Sequence, residues 1–536
     1  MDRRRRFTLL ISIFALAAVA IRVPALNSKP LHTDEAVHAF KTGQLLAGEP
    51  FRYNPADYHG PLLHYGGWLS ARLHGVDRFA DLEASQLRIV TALFGGLMLL
   101  WLLALSPLVS RPGLTLSAAL MLLSPALVYY SRYFIMEVLL VCFYLGFMVS
   151  VMRYLARPDT KWMAASAVCL GLMFAAKETA LIFLAAAGLG LALTAGLPAA
   201  RRQILAQWRS SFPPWHSGAF GAILLAVFIL LISGFGTDWG NVLRYVQGYG
   251  GYLERGLDTS VHRQPWTYYG KLLLYSHWAG GPLWSEGLIV LLALGGAVRI
   301  FRPTDGADNG RRQAGRFLAW STLGGLVILS LVPYKTPWNV LAILAGAILL
   351  AGYGTQALLE LLGQTRWRMA VAGLIGAALL HLGWQAAAAS GRYAASPLNP
   401  YVYGHTSEEL ASLTDALHRA AAVTPEGFDL PLQIVAPQDD YWPLPWDLRK
   451  FTQVYWWSAI DTSVPPAPVI VAHMTAANQE QQEAAIAAYV YQGRPAGERS
   501  VYMTLFGEPV ALRPGVFLVT YMAKDLHDRL AEAAGN

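Results

Sequence analysis

The chain has 536 residues, 55% of them hydrophobic and only 14% charged, with a mean hydropathy of +0.37. That apolar content exceeds what a soluble core of this length requires and points to lipid contact. The net charge of +7 does not imply nucleic acid, because Arg and Lys fall in short clusters between apolar segments with no basic face or stacking motif.

Four arginines, Arg3 to Arg6, precede an apolar run from Phe7 to Leu26. The run is close to a full span in length and longer than a signal-peptide core, so it is read as a retained first helix. Further apolar stretches able to cross about 30 Å of hydrocarbon follow near 86–108, 113–130, 134–152, 162–176, 179–198, 218–235, 283–301, 317–333, 338–361 and 369–389. The expectation is eleven transmembrane helices. The aromatic stretch 264–284 is set apart as an interfacial or re-entrant segment, with Trp266-Thr267-Tyr268-Tyr269 and Trp278 to Trp284 read as interfacial anchors or, alternatively, as the lining of a sugar or lipid-chain groove. Cys142 and Cys169 both sit inside apolar runs and form no disulfide framework.

Starting the N-terminus inside and alternating sides tests the orientation. The inside loops then hold Arg111; Arg153, Arg157 and Lys161; Arg201, Arg202 and Arg209; Arg299, Arg302, Arg311, Arg312 and Arg316; and Arg366 with Arg368. This is the positive-inside pattern of a multi-pass plasma-membrane protein with a cytoplasmic N-terminus. Three regions fall outside: 27–83, 236–282 and the tail from about 391. The division is a membrane module over 1–390 and an extracytoplasmic soluble domain over 391–536. In the tail, a helix is expected from His405 to Ala422 with Thr406 or Ser407 as N-cap, and another over 476–490. Strands are expected at Leu432 to Ala436, Val469 to Ala472, 501–506 and 516–521, giving a compact α/β layer.

Polar motifs gather at the outer ends of the spans. His32-Thr33-Asp34-Glu35 follows the first span, and Tyr53-Asn54-Pro55, Tyr58-His59-Gly60-Pro61 and Tyr65 lie further along the same loop. Adjacent carboxylates there fit a general base towards a hydroxyl, a metal site with His32 or His59, or the cap of a juxtamembrane helix. Ser131-Arg132-Tyr133 with Glu137, Lys177-Glu178, and Tyr334-Lys335-Thr336-Pro337-Trp338 reach the same side. Lys177 with Glu178, or Arg132 with Glu137, has a structural reading as a boundary ion pair. Basic groups beside carboxylates also suit an anionic phosphate and a nearby base. Asp439-Asp440-Tyr441-Trp442-Pro443-Leu444-Pro445-Trp446 in the tail reads equally as a sugar-stacking surface or a packed loop on the domain rim.

Together these motifs resemble the GT-C superfamily of multispanning glycosyltransferases, which includes the protein O-mannosyltransferases and the aminoarabinose transferases of lipid A. The resemblance is closest to the prokaryotic flippase-activity-associated protein family. It rests on His32-x-Asp34-Glu35-Ala36, His59-Gly60-Pro61, Arg132-Tyr133 with Glu137, Lys177-Glu178, Tyr334-Lys335-x-Pro337-Trp338, Tyr403-x-His405-Thr406-Ser407 and Trp442-x-x-Pro445-Trp446-x-Leu448-Arg449.

The resemblance implies a polytopic α-helical GT-C membrane protein with a C-terminal extracytoplasmic α/β domain. Its implied reaction transfers a monosaccharide from a polyprenyl-phosphate donor to an acceptor hydroxyl of a protein, lipid or polysaccharide, with inversion. Asp34 matches the base, and Glu35 would orient it or a sugar hydroxyl. Arg132, Lys177 and Lys335 would neutralise the donor phosphate. His32, Tyr58, His59, Glu137, Glu178, Tyr334 and Trp338 are candidates for the substrate pocket. No cofactor is required, and a divalent metal on Asp34, His59 and Glu178 is the alternative. Two other function classes remain open at this point: a flippase component for lipid-linked saccharides, and a non-catalytic scaffold. The absence of a detectable repeat and the placement of the charges at helix ends weigh against transport. His381, alone inside an apolar span, is read as a hydrogen-bonded helix contact.

Overall fold

A computed structural model describes residues 2–55, 59–196, 213, 215–257, 262–302, 309–362, 364–492 and 501–535. The chain is a multi-pass helical membrane protein with a strand-containing C-terminal region. Among the described residues, six helices are long and apolar enough to cross a membrane: Ala84–Ala104, Glu137–Ala156, Trp215–Ile232, Gly310–Leu331, Pro337–Leu361 and Thr365–Ser390. Four shorter apolar helices accompany them at Arg111–Leu123, Thr160–Ala176, Ala180–Gly196 and Gly287–Phe301. A helix over Arg3–Arg22 occupies the first expected span.

The stretch 264–284 forms only a seven-residue helix, Tyr268–Leu274, and a bridge between Ser276 and Trp284. Its aromatic residues divide in two. Trp266 is 73% exposed, as an interfacial anchor would be, but Trp284 is fully buried and donates its indole N–H to the Leu398 carbonyl at 2.8 Å. Trp284 is therefore a core residue, since a buried indole requires a hydrogen-bond partner. His381 is bonded to the Gln385 side chain one turn on, at 3.0 Å, as the helix-contact reading expects.

The chain divides into two compact units. The first comprises Met1–Leu26, Gly48–His74 and Ser85–Tyr403, and holds the apolar helices. Close helix contact in this unit depends on glycine. A Cβ on Gly354 would lie 1.9 Å from the Leu292 carbonyl oxygen, and one on Gly296 would lie 2.0 Å from that of Leu350. The Gly287–Phe301 and Val340–Leu361 helices therefore pack backbone to backbone.

The second unit comprises Gly404–Asn536 with Asn27–Ala47 and Gly75–Ala84 from the first loop. Its sheet runs in the order β2-β1-β3-β6-β4, with β5 also paired to β6: β1 is Leu432–Val435, β2 Val454–Trp457, β3 Val469–Met474, β4 Tyr502–Thr504, β5 Val510–Arg513 and β6 Val516–Ala523. β1, β2 and β3 are parallel, and the pairings to β6 are antiparallel. β3 is buried at all six positions, so both sheet faces are covered. One face packs on Leu410, Leu413, Leu417 and Leu526, the other on Ile486 and Tyr489. β2 and β5 are additional to the four strands expected from sequence.

The tail helix begins at Leu410, later than expected, and neither Thr406 nor Ser407 is its N-cap residue. Thr406 instead donates its hydroxyl to the Leu31 carbonyl at 2.6 Å. The loop after β1 is packed inward. Leu444 and Trp446 are buried, Tyr441 lies 4.6 Å from the Trp456 ring, and Asp440 accepts from His473 Nε2 at 3.0 Å and from Arg513. These contacts favour the packed-loop reading of that motif.

Candidate active site

In the second unit, the Thr33–Leu46 helix opens with a capping box centred on His32. His32 Nδ1 accepts the Asp34 backbone N–H at 3.0 Å, and Glu35 Oε2 accepts the His32 N–H at 3.0 Å. Glu35 is fully buried, whereas the Asp34 side chain is 47% exposed. His32 and Glu35 close the helix end, and Asp34 Oδ1 lies 4.0 Å from His32 Nδ1 on a side chain more exposed than either. The tail contributes to the same place through Thr406 on Leu31. A Cβ on Gly404, whose φ is +52°, would lie 3.7 Å from His32 Nε2.

In the first unit, His59 and three tyrosines form a network around the buried Glu178. His59 Nδ1 lies 2.7 Å from Glu178 Oε2, the Tyr53 hydroxyl donates to Glu178 Oε1 at 2.8 Å, and the Tyr252 hydroxyl is 3.0 Å from His59 Nδ1. Tyr249 reaches the Glu178 carbonyl at 3.4 Å. Gly60 permits this approach, because a Cβ there would lie 2.1 Å from the Ala175 carbonyl oxygen. Asn241 fixes the extended segment before it by accepting from Tyr53 N and donating to Phe51 O, both at 2.8 Å. Burial pushes the Glu178 carboxyl up, but His59 and the Tyr53 hydroxyl outweigh burial and hold it below the usual carboxylate range. Burial, then the Glu178 charge, raises the Tyr53 and Tyr252 phenols.

Lys177 and Glu178 occupy the break between the Thr160–Ala176 and Ala180–Gly196 helices, where Lys177 is extended (φ −158°). Neighbouring side chains diverge on extended backbone. Lys177 pairs with Glu137 instead of with Glu178, and both partners of that ion pair are buried. Arg132 donates to the carbonyls of Arg22, Pro24 and Ala25 at 2.8, 2.7 and 3.1 Å, which replaces the considered pairing with Glu137. Lys335 donates to the carbonyls of Gln264, at 3.2 Å, and Val332. Tyr334 forms a bridge with Arg263 and packs edge-on to His262 at 4.9 Å, while Trp338 lies edge-on to Tyr130 and Tyr403. Tyr58 lies outside the described residues. Of the alternative metal set, His59 and Glu178 are in contact, and Asp34 belongs to the other unit.

Two contributors were absent from the sequence reading. The Gly240–Leu257 helix turns Asn241, Tyr245, Tyr249 and Tyr252 towards this network and leaves Leu243, Val246, Leu253 and Leu257 exposed. The tyrosine spacing of four and three is a helical signal present in the sequence. Glu286 is fully buried; its Oε1 accepts from Ser124 Oγ at 2.9 Å and Ala126 N at 3.0 Å, at the start of the short Pro125–Tyr130 helix that leads to Arg132.

Apolar helices in one unit and a mixed α/β domain in the other define a membrane protein with the fold of the GT-C glycosyltransferases. The family profile of the dolichyl-phosphate-mannose-protein mannosyltransferases matches residues 58–233. ArnT from Cupriavidus metallidurans bound to undecaprenyl phosphate is similar over 95% of this chain and 97% of its own, at 16% identity and a TM-score of 0.56. The Archaeoglobus fulgidus oligosaccharyltransferase tethered with an acceptor peptide is similar over 96% of this chain and 74% of its own, at 12% identity and a TM-score of 0.52. No protein of curated function matches the chain by sequence.

Proposed function

We propose that this protein is a glycosyltransferase that moves a monosaccharide from a polyprenyl-phosphate donor to an acceptor hydroxyl on the extracytoplasmic face of the plasma membrane. The observation that carries the reading is the full-length likeness to ArnT, whose structure holds undecaprenyl phosphate. Asp34, half-exposed while Glu35 is engaged in the cap, takes the proton of the acceptor hydroxyl. The hydroxyl oxygen attacks the anomeric carbon from the face opposite the phosphate. The bond from that carbon to the phosphate oxygen breaks, and its electron pair leaves with the polyprenyl phosphate.

Arg132 and Lys335 suit the phosphate because their hydrogen-bond partners are neutral carbonyls, which leave the cationic charge uncompensated. Lys177 would share its charge between Glu137 and the phosphate. His59, Glu178, Tyr334 and Trp338 contribute to the sugar or acceptor pocket. The phosphate is itself a good leaving group, so the step requires no metal.

The test incubates purified, detergent-solubilised protein with a panel of polyprenyl-phosphate monosaccharides and measures free polyprenyl phosphate. Release by the wild type that is lost in Asp34→Asn is expected. No release from any donor, even with host membrane extract as acceptor, would overturn the reading.

A further inference from the structure

One cavity lies apart from every residue assigned above. The end of the Gly287–Phe301 helix, the start of the Asn309–Leu331 helix and the end of the Val340–Leu361 helix surround about 870 Å³. Four arginines line it, Arg299, Arg302, Arg311 and Arg312, with Glu360 as the one carboxylate among its lining residues. Arg299 holds Glu360 with two hydrogen bonds, at 3.1 and 2.7 Å. Among the lining residues, guanidinium groups outnumber carboxylates four to one. Tyr353 also lines the cavity; its buried hydroxyl has no hydrogen-bond partner among the described residues. A buried hydroxyl is seldom left unbonded, so Tyr353 keeps a hydrogen bond to give.

Apart from Gln356, which donates to Glu360 at 3.2 Å, the rest of the lining is apolar, and much of it faces outward. Leu291 is 69% exposed, Val298 54% and Leu361 78%. On helices in a membrane these side chains meet acyl chains. The cavity thus joins a guanidinium cluster to a lipid-facing apolar wall, the two chemistries carried by one phospholipid. The Val340–Leu361 helix has Lys335 and Trp338 just before its start and Glu360 at its end. Its 22 residues cover about 33 Å, one bilayer core. The cavity therefore opens at the membrane face opposite Lys335.

We propose that this cavity binds an anionic phospholipid. The phosphate sits among the arginines and accepts from the Tyr353 hydroxyl, and the acyl chains lie on Leu291, Val298 and Leu361. Basic loops serving membrane orientation explain the arginines alone; they do not explain a cavity of this size or the unbonded phenol.

Thermal stability of the purified protein, titrated in detergent with phosphatidylglycerol, phosphatidylcholine or inorganic phosphate, tests the site. Phosphatidylglycerol is expected to raise the melting temperature saturably, with little effect from the other two. Arg302→Ala/Arg311→Ala, a change at two exposed side chains, is expected to weaken the apparent affinity about thirtyfold. Tyr353→Phe, which keeps the ring, should weaken it several-fold. An equal shift with phosphatidylcholine, an equal shift with inorganic phosphate, or unchanged affinity in both variants would overturn the proposal.

Discussion

His59 Nδ1 and Glu178 Oε2 meet at 2.7 Å, joining a partly exposed imidazole to a carboxylate whose side chain is 1% exposed. The histidine arrives from the Gly48–His74 segment and the glutamate from a break between two apolar helices, so the contact ties two distant parts of the first unit together.

Losing the histidine leaves a buried carboxylate without its main partner, at a cost of about 3 kcal/mol. His59→Ala should therefore lower the thermal stability of the solubilised protein more than His59→Ala/Glu178→Gln does. Strictly additive losses in this double-mutant cycle would contradict the coupling. The pH dependence has a definite sign. The folded Glu178 value is depressed, so its stabilisation is present above the ordinary carboxylate pKa of about 4.3 and is lost as pH falls through the folded value. The stability gap between wild type and Glu178→Gln should close in that acidic range.

Lys177 and Glu137 pose a related question with a functional answer. Lys177→Met strands Glu137, only 5% exposed, and should destabilise by about 3 kcal/mol, whereas Lys177→Met/Glu137→Gln should recover most of that loss. If the ammonium also serves the donor phosphate, the double variant regains stability but stays slow. Recovery of transfer along with stability would restrict Lys177 to a structural role.

The helix positions were legible because a bilayer imposes one length and one polarity on every span. The α/β character of the tail was legible from Leu432 to Ala436 and Val469 to Ala472, short buried strands rich in Val, Ile and Leu. β2 was missed because Val454-Tyr455-Trp456-Trp457 is a half-exposed edge strand without alternation, and β5 because it spans only four residues beside a bulge. At the candidate site the sequence supplied residue types but not partners. Lys177 and Glu178 are adjacent, yet extended backbone sends them to Glu137 and His59. Tyr252, 193 residues from His59, carries no local sign of that contact.

The adjacent acids Asp34 and Glu35 should separate cleanly. Glu35→Ala removes half of the capping box and should cost about 1 kcal/mol of stability, with loss of activity following from disorder at the helix start. Asp34→Asn should change the melting temperature little, because its side chain is 47% exposed and the cap bond to His32 comes from its backbone N–H, which Asn keeps. Transfer should nonetheless fall by about 10²- to 10⁴-fold, the usual contribution of a general base. A large loss of stability in Asp34→Asn, or normal rates in a folded Asp34→Asn protein, would remove it from the base role.

Asp447 offers a test confined to the α/β domain. Burial pushes its carboxyl up to about 7 despite the nearby Arg449 charge, and its Oδ2 is buried without a hydrogen-bond partner among the described residues. Its unfolded value is about 3.9, so between roughly pH 4 and pH 7 the folded state binds more protons than the unfolded state. The domain should therefore lose stability as pH rises through that window, at up to about 1.4 kcal/mol per pH unit, and level off above it. Asp447→Asn removes the titration, so the variant should be close to wild type at pH 4 and more stable near pH 8. Hydrogen exchange of the β3 and β6 amides, corrected for intrinsic rates, reads this difference directly. Equal pH profiles in the two proteins would mean that Asp447 is ionised and solvated in the folded domain.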